Sequence, residues 1–203
     1  MARLASAAHD DPDALARALH AHGACRLTGF PDPASTAALR DDLVRLQHEA
    51  ALVPAATGRA ASHALRPQLR GDLTLWLDDP RCGAPAGAYL HALDTLRLGL
   101  NRRLFLGLND VEAHYACYPP GAGYARHRDR FRDSDLRVVS LVSYLNANWD
   151  EADGGALRLH AEGGTIDVLP QGGSICFLSE LEHEVLPATR ERLSIAAWFR
   201  RCP

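Results

Sequence analysis

The chain has 203 residues, 47% of them hydrophobic and 23% charged, the balance of one globular domain able to bury a core without disulfides or a structural metal. Its 22 basic and 25 acidic residues leave a net charge of −3, so there is no global basic field to hold a nucleic-acid backbone. Every basic residue is an arginine, which excludes chemistry built on a lysine ε-amine: a pyridoxal phosphate Schiff base, a lysine aldolase or a Walker A phosphate loop.

Asp11 followed by Pro12 is a helix-start signal, and Leu15, Ala18 and Leu19 then fall at helical spacing up to Gly23. CRLTGF (25–30) reads as a short strand. Asp32 and Pro33 repeat the start signal, with Leu39, Leu43 and Leu46 on one face of a second helix that reaches about Glu49. From Val53 to Gly71 the sequence has little period and predicts a long loop of the kind that covers binding sites. LTLWL (73–77) alternates as a strand, and Ala86–Leu106 predicts a third helix. From Val111 onward the pattern changes to eight short strands separated by glycine-rich turns: VEAHYACY, GYARH, LRVVSLVSYL, GALRLH, TIDVL, SICFL, HEVL and LSIAAWF. The expected class is α+β: a double-stranded β-helix, or jelly roll, over 108–203, with helical support and a substrate loop over 1–107, together one domain.

With no lysine and no GxSxG, the candidates for chemistry are histidines and carboxylates. His127-Arg128-Asp129 closes a predicted strand, so residues 127 and 129 point to one side, the spacing two metal ligands need. Ten histidines and 17 aspartates produce roughly one HxD by chance, and His9-Asp10-Asp11 is such a decoy, with Asp11 better placed as a helix cap. His183 on the seventh strand supplies a third ligand. Two histidines and one carboxylate leave three metal positions open, as in non-haem Fe(II) oxygenases, two for a keto acid and one for dioxygen. If the seventh and eighth strands form a hairpin turning near 189–190, Arg192 lies four residues from the partner of His183. That is roughly 13 Å, a span that suits a five-carbon dicarboxylate chelated at one end and forked by arginine at the other.

The runs ACYPPGAGYARHRD, RVVSLVSYLNANWD, GGALRL and HEVLPATRERLSIAAWF, in this order, together with LRGDLTLWL, resemble the 2-oxoglutarate- and Fe(II)-dependent prolyl hydroxylases of the hypoxia-inducible-factor type and their bacterial relatives. The resemblance spans about 66–199. It implies that His127, Asp129 and His183 hold iron and that Arg192 pairs with the 5-carboxylate of 2-oxoglutarate. Tyr144, Tyr118, Tyr124, Leu157 and Ser194 would complete the co-substrate pocket, and Arg70, Asp72, Trp76 and Arg137 would belong to the substrate loop, with Asp72 and Arg137 forming an ion pair. Ala196 stands where the family often has a threonine, and Ser194 is the candidate to replace its hydroxyl. The implied reaction couples oxidation of 2-oxoglutarate by O2 to hydroxylation of a prolyl residue in a protein, in the bacterial branch including a translation elongation factor.

Two rivals stand beside this reading. A zinc hydrolase would use the same ligands but needs a base beside the metal, and Glu182 and Glu184 should face away from it. A module that senses iron or 2-oxoglutarate without turnover is the other. Arg126, Arg128, Arg130 and Arg132 form a basic edge next to the site, while His114 and His160 read as packing or surface residues and Cys117 and Cys176 as buried hydrophobes. Five cysteines without a CxxC pair, no export signal and no run of roughly 18 apolar residues lead us to expect a soluble cytoplasmic protein with no membrane or nucleic-acid partner.

Overall fold

The computed structural model of the chain describes residues 4–57, 64–66, 68–130 and 134–202. The structure has three helices, α1 (Pro12–His22), α2 (Pro33–His48) and α3 (Ala84–Leu104), the first two starting where the capping signals stand. Asp11 accepts from the Ala14 amide at 2.9 Å, and Asp32 accepts from Ala34 and Ser35. α3 begins at Gly83, which has no side chain with which to cap; instead both oxygens of Asp42, on α2, accept the Gly83 amide at 3.1 Å. A Cβ at 83 would lie 2.7 Å from Asp42 Oδ1, so only glycine admits this cap from a neighbouring helix.

The strands are β1 (Ala5–Ala8), β2 (Ala24–Thr28), β3 (Val53–Pro54), β4 (Ala56–Thr57), β5 (Ala64–Leu65), β6 (Leu73–Trp76), β7 (Leu108–Tyr118), β8 (Tyr124–His127), β9 (Arg137–Tyr144), β10 (Leu157–Ala161), β11 (Gly164–Val168), β12 (Ser174–Leu178), β13 (Glu182–Val185) and β14 (Arg192–Arg201). The major sheet runs β1-β2-β12-β9-β14-β7-β6-β3 and the minor sheet β11-β10-β13-β8, the two walls of a double-stranded β-helix. All eight expected C-terminal strands are present. The expected division at 107 is not a division of the sheet, because β1, β2, β6 and β3 from the first half extend the major wall on both sides.

Two expectations change. The stretch 53–71 is not a plain loop: β3 pairs with β6, and β4 pairs with β5 as a small hairpin, while 58–63 and 67 lie outside the described residues. Nor do β13 and β14 form a hairpin. β13 lies between β10 and β8 in the minor sheet and β14 between β7 and β9 in the major sheet, so the chain from 186 to 191 crosses from one wall to the other. The 13 Å register argument therefore fails, and His183 and Arg192 enter one interior from separate sheets.

β14 shows how the two sides are sorted. Leu193, Ile195, Ala197 and Phe199 pack with Leu15, Leu43, Tyr89, Leu93 and their neighbours on the helical side. Arg192, Ser194, Ala196 and Trp198 alternate with them and so line the interior. Partners in register follow the same rule: Tyr118 beside Arg192, Tyr144 beside Ser194, His114 beside Ala196, Glu112 and Ser140 beside Trp198.

Candidate functional site

His127 ends β8 and is the register partner of His183 on β13; Asp129 follows two residues after His127. One donor atom from each of these three residues lies within 4.8 Å of the others. The Nε2 atoms of His127 and His183 stand 3.7 and 3.5 Å from the oxygens of Asp129. Each ring is oriented from behind in the same way: Nδ1 donates to the carbonyl two residues earlier, Ala125 at 2.8 Å and Leu181 at 2.9 Å. This selects the tautomer that leaves Nε2 as a lone pair aimed at the shared point. Burial opposes the charge of Asp129, but the adjacent His183 and His127 rings and Arg137 outweigh it and hold the carboxyl well below its usual range. Burial pulls the His183 imidazole down, with the Asp129 charge pulling the other way. Two imidazole Nε2 atoms and one carboxylate converging on one point suit Fe(II) with positions left open.

The orientation of Asp129 comes from residues that carry no motif. Ser140, facing inward from β9, donates to Asp129 Oδ2 at 2.7 Å and bonds Ser179 at 2.8 Å. The only signal for Ser140 is a small polar residue at an inward-facing position of β9.

Behind the triad the interior closes on Arg192, which is 1% exposed. Its Nε donates to the Gly155 carbonyl at 3.0 Å and its Nη1 to Ser194 Oγ at 2.9 Å, while Nη2 has no partner among the described residues. The Tyr144 hydroxyl, fully buried beside it, has none either. The rings of Tyr144 and Tyr118 lie 5.4 and 5.3 Å from the guanidinium carbon, and burial raises both phenol pKa values, so each hydroxyl stays a donor. Leu157 is buried in the same cluster. An unpartnered buried donor costs about 1–3 kcal/mol, and two side by side on Arg192 and Tyr144 fit one carboxylate. Gly155 makes room for this arrangement: at φ +68° its carbonyl reaches Arg192, and a Cβ there would sit 2.9 Å from Ala188 and 3.4 Å from Arg192 Cδ. Ser194 supports Arg192 directly through its Oγ, which leaves its O–H free to donate elsewhere.

In front of the triad lies a cavity of about 490 Å³ whose walls include Val53, Trp76, His114, Tyr124, Arg137 and Trp198, along with His127 and Asp129 themselves. Trp76 is 45% exposed on its rim. The expected Asp72–Arg137 pair is replaced by two others. Asp72 receives Arg70 through Nε at 2.7 Å and Nη2 at 2.9 Å, and Arg137 lies 2.7 Å from Glu112 with its guanidinium stacked 3.8 Å over Trp198. Arg70 is two residues from Asp72 on the same extended segment. Glu112 is the register partner of Trp198, so stacking on that ring delivers Arg137 to it. Tyr124 stacks on His127, with centroids 3.6 Å apart and planes at 17°. The basic edge is largely paired: Arg126 and Arg128 share Glu182 and Arg130 engages Glu180, while Arg132 lies outside the described residues. Glu182 and Glu184 are thereby turned to the outer face, the latter toward His160 at 3.0 Å, which leaves a zinc hydrolase without its base.

Residues 113–200 match the 2OG-Fe(II) oxygenase superfamily. The mouse prolyl hydroxylase EGLN3 is 30% identical over 191 residues, covering 89% of this chain and 80% of the relative. Among solved structures, a Pseudomonas putida prolyl-4-hydroxylase superposes with a TM-score of 0.85 at 44% identity over 95% of this chain and all of its own. A Trichoplax adhaerens prolyl hydroxylase, solved with a hypoxia-inducible-factor peptide fragment, superposes with a TM-score of 0.82 at 27% identity over 95% of this chain and 90% of its own. The chain belongs to the 2-oxoglutarate- and Fe(II)-dependent prolyl hydroxylases, and Fe(II), 2-oxoglutarate and dioxygen are the cofactor and co-substrates of its chemistry.

Proposed function

We propose that this enzyme hydroxylates a prolyl residue in an exposed segment of a protein, with a translation elongation factor as the first candidate target and the cytoplasm as the site of action. The observation that carries this reading is that one interior holds three features: unpartnered Arg192 and Tyr144 donors, the His127–Asp129–His183 cluster, and an aromatic-walled cavity that the cluster itself lines. No helix among the described residues is long and apolar enough to cross a membrane.

In this reading His127, Asp129 and His183 hold Fe(II), with Ser140 keeping the carboxylate in place. Arg192 and Tyr144 would take the distal carboxylate of 2-oxoglutarate, with Tyr118 and Leu157 walling the pocket. Bound iron and 2-oxoglutarate supply the oxygen activation: one atom of O2 enters succinate as CO2 leaves, and the other enters a C–H bond of the target as hydroxyl. Tyr124, Trp76 and Trp198 present apolar faces that exclude water around an incoming prolyl ring. The mouse, Pseudomonas and Trichoplax relatives are named prolyl hydroxylases, which supports the same choice of substrate.

The test is mass spectrometry of a bacterial lysate incubated with the enzyme, Fe(II) and 2-oxoglutarate. A +16 Da modification on a proline, absent without 2-oxoglutarate, is the expected result. Consumption of 2-oxoglutarate with no such product would overturn the prolyl reading, and no consumption at all would favour a sensing module.

A further inference from the structure

His114 is a buried titratable residue in the front cavity that the chemistry above does not use; it is 4% exposed, on the inward face of β7. Its ring packs against two indoles that also touch each other, edge-on to Trp76 at 5.3 Å and tilted against Trp198 at 5.2 Å, with Trp76 and Trp198 6.4 Å apart. Nδ1 donates to the Tyr115 carbonyl at 2.9 Å, which leaves Nε2 an acceptor. The group facing Nε2, at 3.2 Å, is Nη2 of Arg70. Burial and the charge of Arg70 push the imidazole down to about 4, so the acceptor persists at neutral pH.

Arg70 passes this constraint on. Its guanidinium carbon lies 4.9 Å from the ring centre of Tyr124, and Tyr124 stacks on His127. Its backbone bridges Tyr124, with flanking bonds from the Ala125 amide to the Leu69 carbonyl at 2.7 Å and from the Gly71 amide to the Gly123 carbonyl at 3.0 Å. The segment leaving the β4–β5 hairpin is thus stitched to the strand that carries His127 by backbone bonds, and the Arg70 side chain packs across the stitch. Asp72 grips two nitrogens of that side chain in a fork, but a fork alone leaves the guanidinium free to tilt with its carboxylate. A second acceptor in another direction removes that freedom.

We propose that His114 is a positioning residue: as an acceptor at Nε2 it fixes Arg70, and through Arg70 it holds both the Tyr124 wall over His127 and the root of the hairpin that borders the substrate cavity. The inference rests on the reading of that cavity as the substrate site, but its structural part does not.

The alternative role is packing against Trp76 and Trp198, and two variants separate the roles. His114→Phe keeps an aromatic ring against the indoles and removes the acceptor; His114→Gln keeps an acceptor and removes the ring. Hydrogen exchange by NMR on the metal-free protein reads the stitch without iron or substrate. In His114→Phe the Gly71 and Ala125 amides should exchange about tenfold faster, the loss of roughly one hydrogen bond to a charged group, while the Leu193 and Ile195 amides keep their rates; His114→Gln should stay near the parent. With the peptide found in the lysate experiment, the KM of His114→Phe should rise more than its kcat falls, with recovery in His114→Gln. Parent-like exchange in His114→Phe together with faster exchange in His114→Gln would assign His114 to packing and overturn the proposal. Should His114→Phe not fold, Arg70→Met poses the same question. Loss of the Arg70 donor should shift the His114 Nε2 resonance and speed the same two amides, and an unmoved resonance would overturn the proposal.

Discussion

The closed end and the mouth of the barrel are lined by the same strand, β14, and they handle charge in opposite ways. At the closed end Arg192 is buried with no carboxylate partner among the described residues, next to a tyrosine hydroxyl with no partner of its own. At the mouth Arg200 forks Asp110 at 2.7 and 2.9 Å and reaches Glu112 at 2.7 Å, and Arg137 joins the same Glu112. A buried cation is stable only when something compensates it, and in the proposed function the carboxylate of 2-oxoglutarate would do so at the closed end. The mouth has balanced its charges internally, and in the proposed function recognition there would fall to shape and to Tyr124 and the exposed Trp76.

The largest break in this arrangement comes from the residue between the two ends. Asp129→Ala should lower iron-dependent succinate formation by more than about a hundredfold, the loss that removal of even an outer partner of a metal ligand can reach. Iron content and succinate yield measure it together. Asp11→Ala, at the decoy motif, should leave both unchanged, since Asp11 caps α1.

His114 adds a pH dependence to the mouth. Its pKa is depressed from 6.5 to about 4 by burial first and then by Arg70 and Arg137, with Asp72 opposing them. The unfolded chain therefore binds more protons between those values, and the stability that comes from keeping this ring neutral is complete above pH 6.5 and lost as pH falls to about 4. The shift corresponds to about 3 kcal/mol, so denaturant titrations of His114→Gln should show a fall in stability shallower by up to that amount over the same window. A slope identical to the parent's would place the ring outside the low-dielectric interior.

Arg192→Lys keeps the charge of the closed end and removes the planar fork. Hydrogen bonds to charged groups contribute about 1.5–3 kcal/mol, so 2-oxoglutarate should bind roughly ten- to a hundredfold more weakly while iron still binds. Titration of the anaerobic Fe(II) protein with 2-oxoglutarate is the check. Tyr144→Phe is the sharper probe of the comparison. It should weaken 2-oxoglutarate by about three- to tenfold and, by removing an unpartnered buried hydroxyl, stabilise the ligand-free protein by about 1 kcal/mol. A lower Tm for the ligand-free variant would mean that the hydroxyl is already satisfied.

The smallest effect is expected at the mouth. Glu112→Gln removes one member of a partly exposed network, so stability should change by no more than about 1 kcal/mol. The 2-oxoglutarate requirement should stay the same, and turnover of a protein substrate should become dependent on ionic strength as Arg137 and Arg200 lose their shared partner.

Local patterns carried much of this molecule. The inward and outward alternation on β7, β9 and β14, the capped starts of α1 and α2 and the 127/129 pairing are properties of a few consecutive residues, because strand period, cap geometry and side-chain direction are set within one or two turns of the chain. What could not be read locally is which groups meet. β13 and β14 look like a hairpin from their spacing, yet they join opposite sheets, because each is stabilised by strands distant in sequence that bury its inner face. The partner of Asp72 depends on where Arg70, Glu112 and Trp198 come to rest, the cap of α3 comes from α2, and the orientation of Asp129 comes from a serine on β9. Charges and hydrogen-bonding groups choose the nearest suitable partner in space, and that distance exists only after the two sheets and the helices have packed.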